Sequence, residues 1–195
     1  MKLMISSLYM GNVVKIAAYK FSPDKLILLV DEPIDETRSA SLKSLKNQYK
    51  DLVDVEIVKS PVYDVVEIAK IVAGLIDKNS DSYDEIILHI SEARKTYAIG
   101  MLYGGYARSD KIKRIVYLTK EDAKIIDLPI LRYSLGDTKR QILLEMKKEG
   151  QSARTLSRKL NLHRSMIYVH LKQLEKMGYI SKDYKITDSG RLSII

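Results

Sequence analysis

Along residues 1–126 the apolar positions follow two alternating rhythms. Short apolar-rich runs (3–6, 26–31, 53–58, 85–89 and 114–118) are separated by longer stretches at 12–20, 38–51, 62–78 and 96–107. In the longer stretches apolar residues recur near i, i+3 and i+4, as Val66, Ala69, Val72, Ala73 and Ile76 do, which is the spacing of one helix face. Strand and helix therefore alternate five times. That alternation predicts a mostly parallel sheet with helices on both faces, a Rossmann-like α/β domain over residues 1–126.

The rhythm changes after residue 126. Residues 127–137 carry Pro129 and Gly136 without clear periodicity and read as a linker. Beyond it, Ile142, Leu143 and Met146 form the stripe of a helix over about 138–148, with Gly150 in a helix-stopping position. Ser152 is placed to cap a second helix, on which Ala153, Leu156 and Leu160 share a face. Asn161-Leu162-His163 makes a tight turn into a third helix that starts at Arg164, buries Ile167, Leu171 and Leu174, and ends at Gly178. Two short helices and a turn of this size fit a helix-turn-helix.

Tyr179-Ile180-Ser181 and Tyr184-Lys185-Ile186-Thr187 can pair across Lys182-Asp183 as a β-wing, so residues 138–195 are expected to form a winged helix-turn-helix. At ~100° per residue, Ser165, Tyr168, Val169, Lys172 and Lys176 lie opposite the apolar stripe of the third helix. Arg164 and Ser165 are placed for base edges, and Lys172 and Lys176 for phosphates. Arg154, His163, Lys182 and Lys185 complete the expected DNA-binding set.

Charge sharpens this division. Residues 136–195 hold 13 Lys and Arg against 6 Asp and Glu, while residues 1–135 hold 20 against 19. A near-neutral domain joined to a basic one is the electrostatic footprint of a nucleic-acid-binding module. The expected macromolecular partner is double-stranded DNA.

Several chemistries are excluded or unsupported. With no cysteine there is no disulfide, thiolate nucleophile or cysteine-ligated metal, and a reducing cytoplasm is the simplest location. His89, His163 and His170 lie in unlike contexts, and no metal is expected. The start, Met1-Lys2-Leu3-Met4-Ile5, is broken by Ser6 and Ser7 and reads as a buried strand rather than a signal. No segment approaches the roughly 18 apolar residues of a membrane span. Neither G-x-G-x-x-G nor G-x-x-x-x-G-K-[ST] occurs, which argues against a dinucleotide coenzyme or a nucleoside triphosphate.

A parallel sheet places ligands at the carboxyl ends of its strands, near the point where strand order reverses. Two segments occupy such positions, Ser6-Ser7-Leu8-Tyr9-Met10-Gly11-Asn12 after the first strand and Ser91-Glu92-Ala93-Arg94-Lys95-Thr96 after the fourth. The charges of Arg94 and Lys95 and the N–H groups of a helix N-terminus would together attract phosphate. Gly100, Gly104 and Gly105 mark close packing of the following helix against a sheet or a subunit.

The string Leu171-x-x-Leu174-Glu175-Lys176-x-Gly178-Tyr179-Ile180, ending in Thr187-Asp188-x-Gly190-Arg191, resembles the winged helices of archaeal and bacterial transcription regulators. Joined to a Rossmann-like domain of this size, it resembles the CARF winged-helix regulators associated with CRISPR loci in archaea. The resemblance implies a homodimeric regulator with no cofactor. Its regulatory ligand would be a cyclic oligoadenylate, cyclic tetra-adenylate being the expected form, held by the two segments just quoted. Glu92 stands where that family favours glycine, and its carboxylate repels a polyanion unless paired with Arg94 or Lys95. Two alternatives are carried with this reading. One is a ring nuclease using Ser7 and Lys95 on the same ligand; the other is a ligand-independent dimeric regulator.

Overall fold

The structure, a computed structural model, describes residues 1–50, 52–91, 93–131, 135–148 and 151–195. Glu92 and Gly150, both singled out from the sequence, lie outside the described residues. The chain divides into two compact units, Met1–Arg132 and Tyr133–Ile195.

The first unit runs β1 (Lys2–Ser7), α1 (Asn12–Phe21), β2 (Lys25–Asp31), α2 (Glu36–Tyr49), β3 (Asp54–Ser60), α3 (Val65–Asn79), β4 (Glu85–His89), α4 (Lys95–Ala107), β5 (Arg114–Leu118) and β6 (Ile125–Leu128). The sheet order is β3-β2-β1-β4-β5-β6. All neighbours are parallel except β5 and β6. This is the expected Rossmann-like α/β architecture, and strand order reverses between β1 and β4.

Because successive strand residues face opposite sides, each buried strand feeds two cores. Leu3, Ile5, Ile27, Leu29, Ile86 and Leu88 meet Ile68, Val72, Tyr97 and Met101 of α3 and α4 on one face. Met4, Leu26, Leu28, Val30 and Ile87 meet Val14, Ala17, Leu42 and Leu45 of α1 and α2 on the other.

The close packing expected at the α4 glycines is within the subunit. A Cβ at Gly100 would lie 2.8 Å from the Ile68 Cβ, and one at Gly104 would lie 2.6 Å from the Ala69 carbonyl oxygen. Gly105 turns to the sheet, where a Cβ would lie 2.8 Å from Leu88.

The sixth strand is absent from the hydrophobic pattern and crosses the expected boundary at residue 126. It has four residues and sits at a sheet edge, so it needs no long apolar run. Ile125 joins one core and Leu128 the other. The Asp127 carboxylate accepts from Arg114 of β5 at 2.7 and 2.8 Å, fastening the antiparallel pair.

The second unit comprises α5 (Asp137–Met146), α6 (Ala153–Leu160), α7 (Arg164–Lys176) and α8 (Asp188–Leu192). Ile142, Leu143, Met146, Leu156, Ile167, Leu171, Leu174, Ile180 and Ile194 form its core. The Ser152 side chain accepts from the Thr155 N–H, capping α6. Asn161 adopts a left-handed conformation (φ 51°) that turns the chain toward α7. Gly178 (φ 76°) ends α7 where a side chain would be strained. The wing is minimal, with one antiparallel bridge between Ile180 and Ile186 and a Ser181 N–H donating to the Lys185 carbonyl at 2.8 Å.

Candidate functional site

At the carboxyl edge of the first unit a shallow open cleft is lined by Ser7, Leu8, Tyr9, Leu29, Asp31, Ala93, Arg94 and Tyr97. It brings together the two segments that follow β1 and β4. Ser7 continues the β1 face that carries Leu3 and Ile5, so its side chain points toward α4. Its hydroxyl is buried and has no hydrogen-bond partner. A buried polar group left unpaired costs free energy, and here the group borders a cleft from which a ligand can supply the bond.

Arg94 stands at the N-cap position of α4 without capping it through its side chain. Its guanidinium instead lies 3.5 Å from the Asp31 carboxylate, donates to the Tyr63 hydroxyl at 3.3 Å, and sits 5.8 Å from the Tyr63 ring centroid. The first N–H groups of α4 are left for an external acceptor. Asp31, at the end of β2, is buried and also pairs with Arg38 of α2 at 3.1 Å. Arg38 is itself buried, lies 5.0 Å from the Tyr9 ring centroid, and has an unpartnered Nε.

Tyr97, in the first turn of α4, accepts from the Ser60 hydroxyl of β3 at 2.7 Å. Burial pushes its phenol up to about 12, the Asp31 charge adds to that, and the Ser60 bond opposes it. At neutral pH it is an uncharged wall of the cleft.

The other expected ligand residues that the structure describes stand outside this lining, for identifiable reasons. Ser6 faces the opposite side of the sheet, where its hydroxyl is 2.7 Å from Nδ1 of buried His89. Burial holds that imidazole down to about 4. Gly11 adopts a positive φ of 85° to launch α1, and Asn12 is exposed on its first turn. Met10 is exposed, and its carbonyl accepts from Ser41 at 3.1 Å. The Ser91 hydroxyl accepts from the Leu118 N–H at 2.6 Å and so braces β5. Lys95 is exposed, and Thr96 holds a buried hydroxyl without a partner. Leu29, Asp31 and Tyr97 were missed because β2 and α4 read as ordinary buried elements. The signal available was an aspartate closing an otherwise apolar strand, in Leu26-Ile27-Leu28-Leu29-Val30-Asp31.

In the second unit the α7 residues Arg164, Ser165, Tyr168, Val169, Lys172 and Lys176 are all exposed, while Ile167, Leu171 and Leu174 are buried. His163 and Ser165 bond each other at 2.8 Å, fixing the start of the helix. Arg154 of α6 and Lys182 and Lys185 of the wing are exposed as well. The outward face of α7 therefore combines cations with apolar Met166, Tyr168 and Val169. Among the described residues no cluster of His, Cys, Asp or Glu is arranged to hold a metal ion. No described helix is long and apolar enough to cross a membrane.

Comparison with known proteins bears on both units. Residues 136–182 match the model of the arsR family of bacterial regulatory proteins, and this unit is a winged helix-turn-helix, a DNA-binding fold. No curated protein matches the sequence. Among solved structures, the chain is similar to protein VC1899 from Vibrio cholerae, with 10% identity and a TM-score of 0.52 over 98% of this chain and 56% of that one. It is also similar to Can2 from Sulfobacillus thermosulfidooxidans in complex with cyclic tetra-adenylate, with 13% identity and a TM-score of 0.49 over 98% and 62%. A third is a type III CRISPR defence DNA nuclease activated by cyclic oligoadenylate, with 16% identity and a TM-score of 0.48 over 89% and 30%. The chain spans less than two thirds of each of these proteins. The VC1899 likeness shows a shared fold.

Proposed function

We propose that this protein is a cytoplasmic, homodimeric transcription regulator whose winged helix binds double-stranded DNA under the control of a cyclic oligoadenylate held in the α/β cleft. The observation that carries the reading is the cleft itself. At the switch point of a parallel sheet, a buried unpaired hydroxyl of Ser7 lines the same cleft as Arg94, which stands at the start of a helix. Hydroxyl, guanidinium and backbone donors together suit a phosphate oxygen. The resemblance of the sequence to CARF winged-helix regulators supplies the class of anion, with cyclic tetra-adenylate the first ligand to test.

On the DNA side, Arg164, Ser165 and Tyr168 are assigned to base edges in the major groove, and Lys172 and Lys176 to phosphates. Arg154, His163, Val169, Lys182 and Lys185, all exposed, are assigned to the rest of the DNA-binding surface. A homodimer supplies the second recognition helix that paired half-sites require.

Titrating operator DNA with and without saturating cyclic tetra-adenylate tests the reading. Allosteric coupling is typically ~1–3 kcal/mol, or roughly 5–150-fold in affinity. Superimposed curves with the ligand bound refute control of DNA binding by the ligand, and absence of binding refutes the ligand. Incubating the protein with the same ligand and resolving the products separates the ring-nuclease alternative, because Ser7 has a free hydroxyl but no described base bonded to it.

A further inference from the structure

We infer that Asp31 is a charge selector in the cleft: it admits a singly charged phosphodiester and disfavours a doubly charged terminal phosphate. This rests on the reading of the cleft as a nucleotide-anion site. A buried carboxylate is an unexpected neighbour for an anion, and its surroundings show how it is accommodated.

The two arginines on Asp31 are held differently. Arg38 is held through Nη1, which lies 3.1 Å from the Asp31 carboxylate, 3.7 Å from the Asp35 carboxylate and 3.4 Å from the Pro33 carbonyl, with the Tyr9 ring packed against it. It is 4% exposed and does not line the cleft. Arg94 does line the cleft, is partly exposed, and touches Asp31 through one longer contact of 3.5 Å. An arriving phosphate therefore recruits Arg94 while Arg38 stays on Asp31.

Asp31, Arg38 and Arg94 together carry a single net positive charge, which one phosphodiester neutralises; the Asp35 carboxylate, 3.7 Å from Arg38, is more than half exposed and screened by solvent. A terminal phosphate carries about −1.5 to −2 at pH 7, so its second charge finds no further buried counterion among the described residues that line the cleft. That charge would face a carboxylate in a poorly screened pocket. A cyclic oligonucleotide contains only diesters, whereas mononucleotides and linear fragments with phosphorylated ends carry the extra charge. Asp31 accordingly keeps abundant phosphomonoesters out of a site that must respond to a scarce diester.

The test compares three probes on the full chain by calorimetry: cyclic tetra-adenylate, linear tetra-adenylate with a free 5′-hydroxyl, and the same linear chain with a 5′-phosphate. Wild type is expected to bind the 5′-phosphorylated chain more weakly than the 5′-hydroxyl chain. Asp31→Asn should swing that ratio toward the phosphorylated chain by on the order of tenfold. Asp31→Asn leaves Arg38 buried and unpaired, so Asp31→Asn/Arg38→Gln, which restores the net charge and removes only the local repulsion of the carboxylate, is measured beside it with a swing in the same direction but smaller. A merely structural Asp31–Arg38 pair would lower all affinities and leave the ratio fixed, which overturns the inference. A wild-type preference for the 5′-phosphate overturns it without any variant. Binding of the ring but of neither linear chain also overturns it, because selection would then be by shape. If cyclic tetra-adenylate itself does not bind, the assignment of the cleft fails first.

Discussion

Acidification should destabilise the α/β unit through one residue, His89. The imidazole is fully buried on the α1–α2 side of the sheet, and desolvation lowers its pKa from 6.5 to about 4. Ser6 Oγ lies 3.0 Å from the Ser7 carbonyl and 2.7 Å from His89 Nδ1. Both bonds form if Ser6 donates to the carbonyl and Nδ1–H donates to Ser6, leaving Nε2 as a bare acceptor, consistent with its lack of a partner. A folded-state pKa below the unfolded one means that the unfolded chain binds more protons between the two values. Stability is therefore full above about pH 6.5 and falls as pH drops toward 4. At 1.36 kcal/mol per unit, the loss is about 2 kcal/mol by pH 5 and on the order of 3 kcal/mol at the end of the window. Carboxylates with lowered values, such as Asp77 at about 2, give up their stabilisation at lower pH, so the interval from 7 to 5 isolates the histidine. The assay is urea unfolding at stepped pH for wild type and Ser6→Ala/His89→Leu, a pair that removes both partners and strands neither. The variant should lose most of the slope. An unchanged slope, or a His89 ring resonance titrating near 6.5 by NMR, refutes the reasoning.

Other perturbations have equally direct readouts. Gly104→Ala should destabilise the α/β unit by about 1–3 kcal/mol in chemical unfolding, because its Cβ meets the Ala69 carbonyl and Val72 rather than a flexible side-chain end. Ser152→Ala should cost about 1 kcal/mol in the winged helix by removing the α6 cap. Arg164→Ala and Tyr168→Ala should each weaken operator binding by about 1–3 kcal/mol in gel-shift titration without changing stability. Lys172→Ala should weaken binding to all DNA and reduce the salt slope by about one.

The strand-helix alternation and the helix-turn-helix were legible because their signals are local. Val66 to Ile76 and Ile167 to Leu174 repeat on one face, and Ser152, Asn161 and Gly178 punctuate as caps and stops should. The cleft was legible only in part. Topology placed the right loops together, since a β1–β4 switch point follows from the alternation. Which side chains enter the cleft depends on strand parity: Ser7 faces α4, whereas Ser6, one residue earlier, faces His89 on the far side. Segment-level reasoning does not resolve a single-residue alternation without the register. Asp31 and Tyr97 come from elements whose apolar content hid them, and Arg38 owes its place to a contact between α2 and β2 that no periodicity encodes.

The same parity explains why α4 suits a reporter of cleft occupancy. Arg94 and Tyr97 bring its first turn to the cleft, Gly100 and Gly104 seat its middle on α3, and Gly105 presses its end onto β4 and β5. A helix held on glycines has no side chains there to re-pack, so a displacement at its start is transmitted instead of absorbed. The Tyr97–Ser60 bond ties that start to β3, across β1 and β2 in the sheet. On the proposed reading, drawing Arg94 away from Asp31 would act on α4 and, through the glycine contacts, on α3 as one block. The close packing expected against a sheet or a subunit is made within the unit, on α3 and on the sheet, while Ile99 and Tyr103 on the outer surface of α4 are exposed.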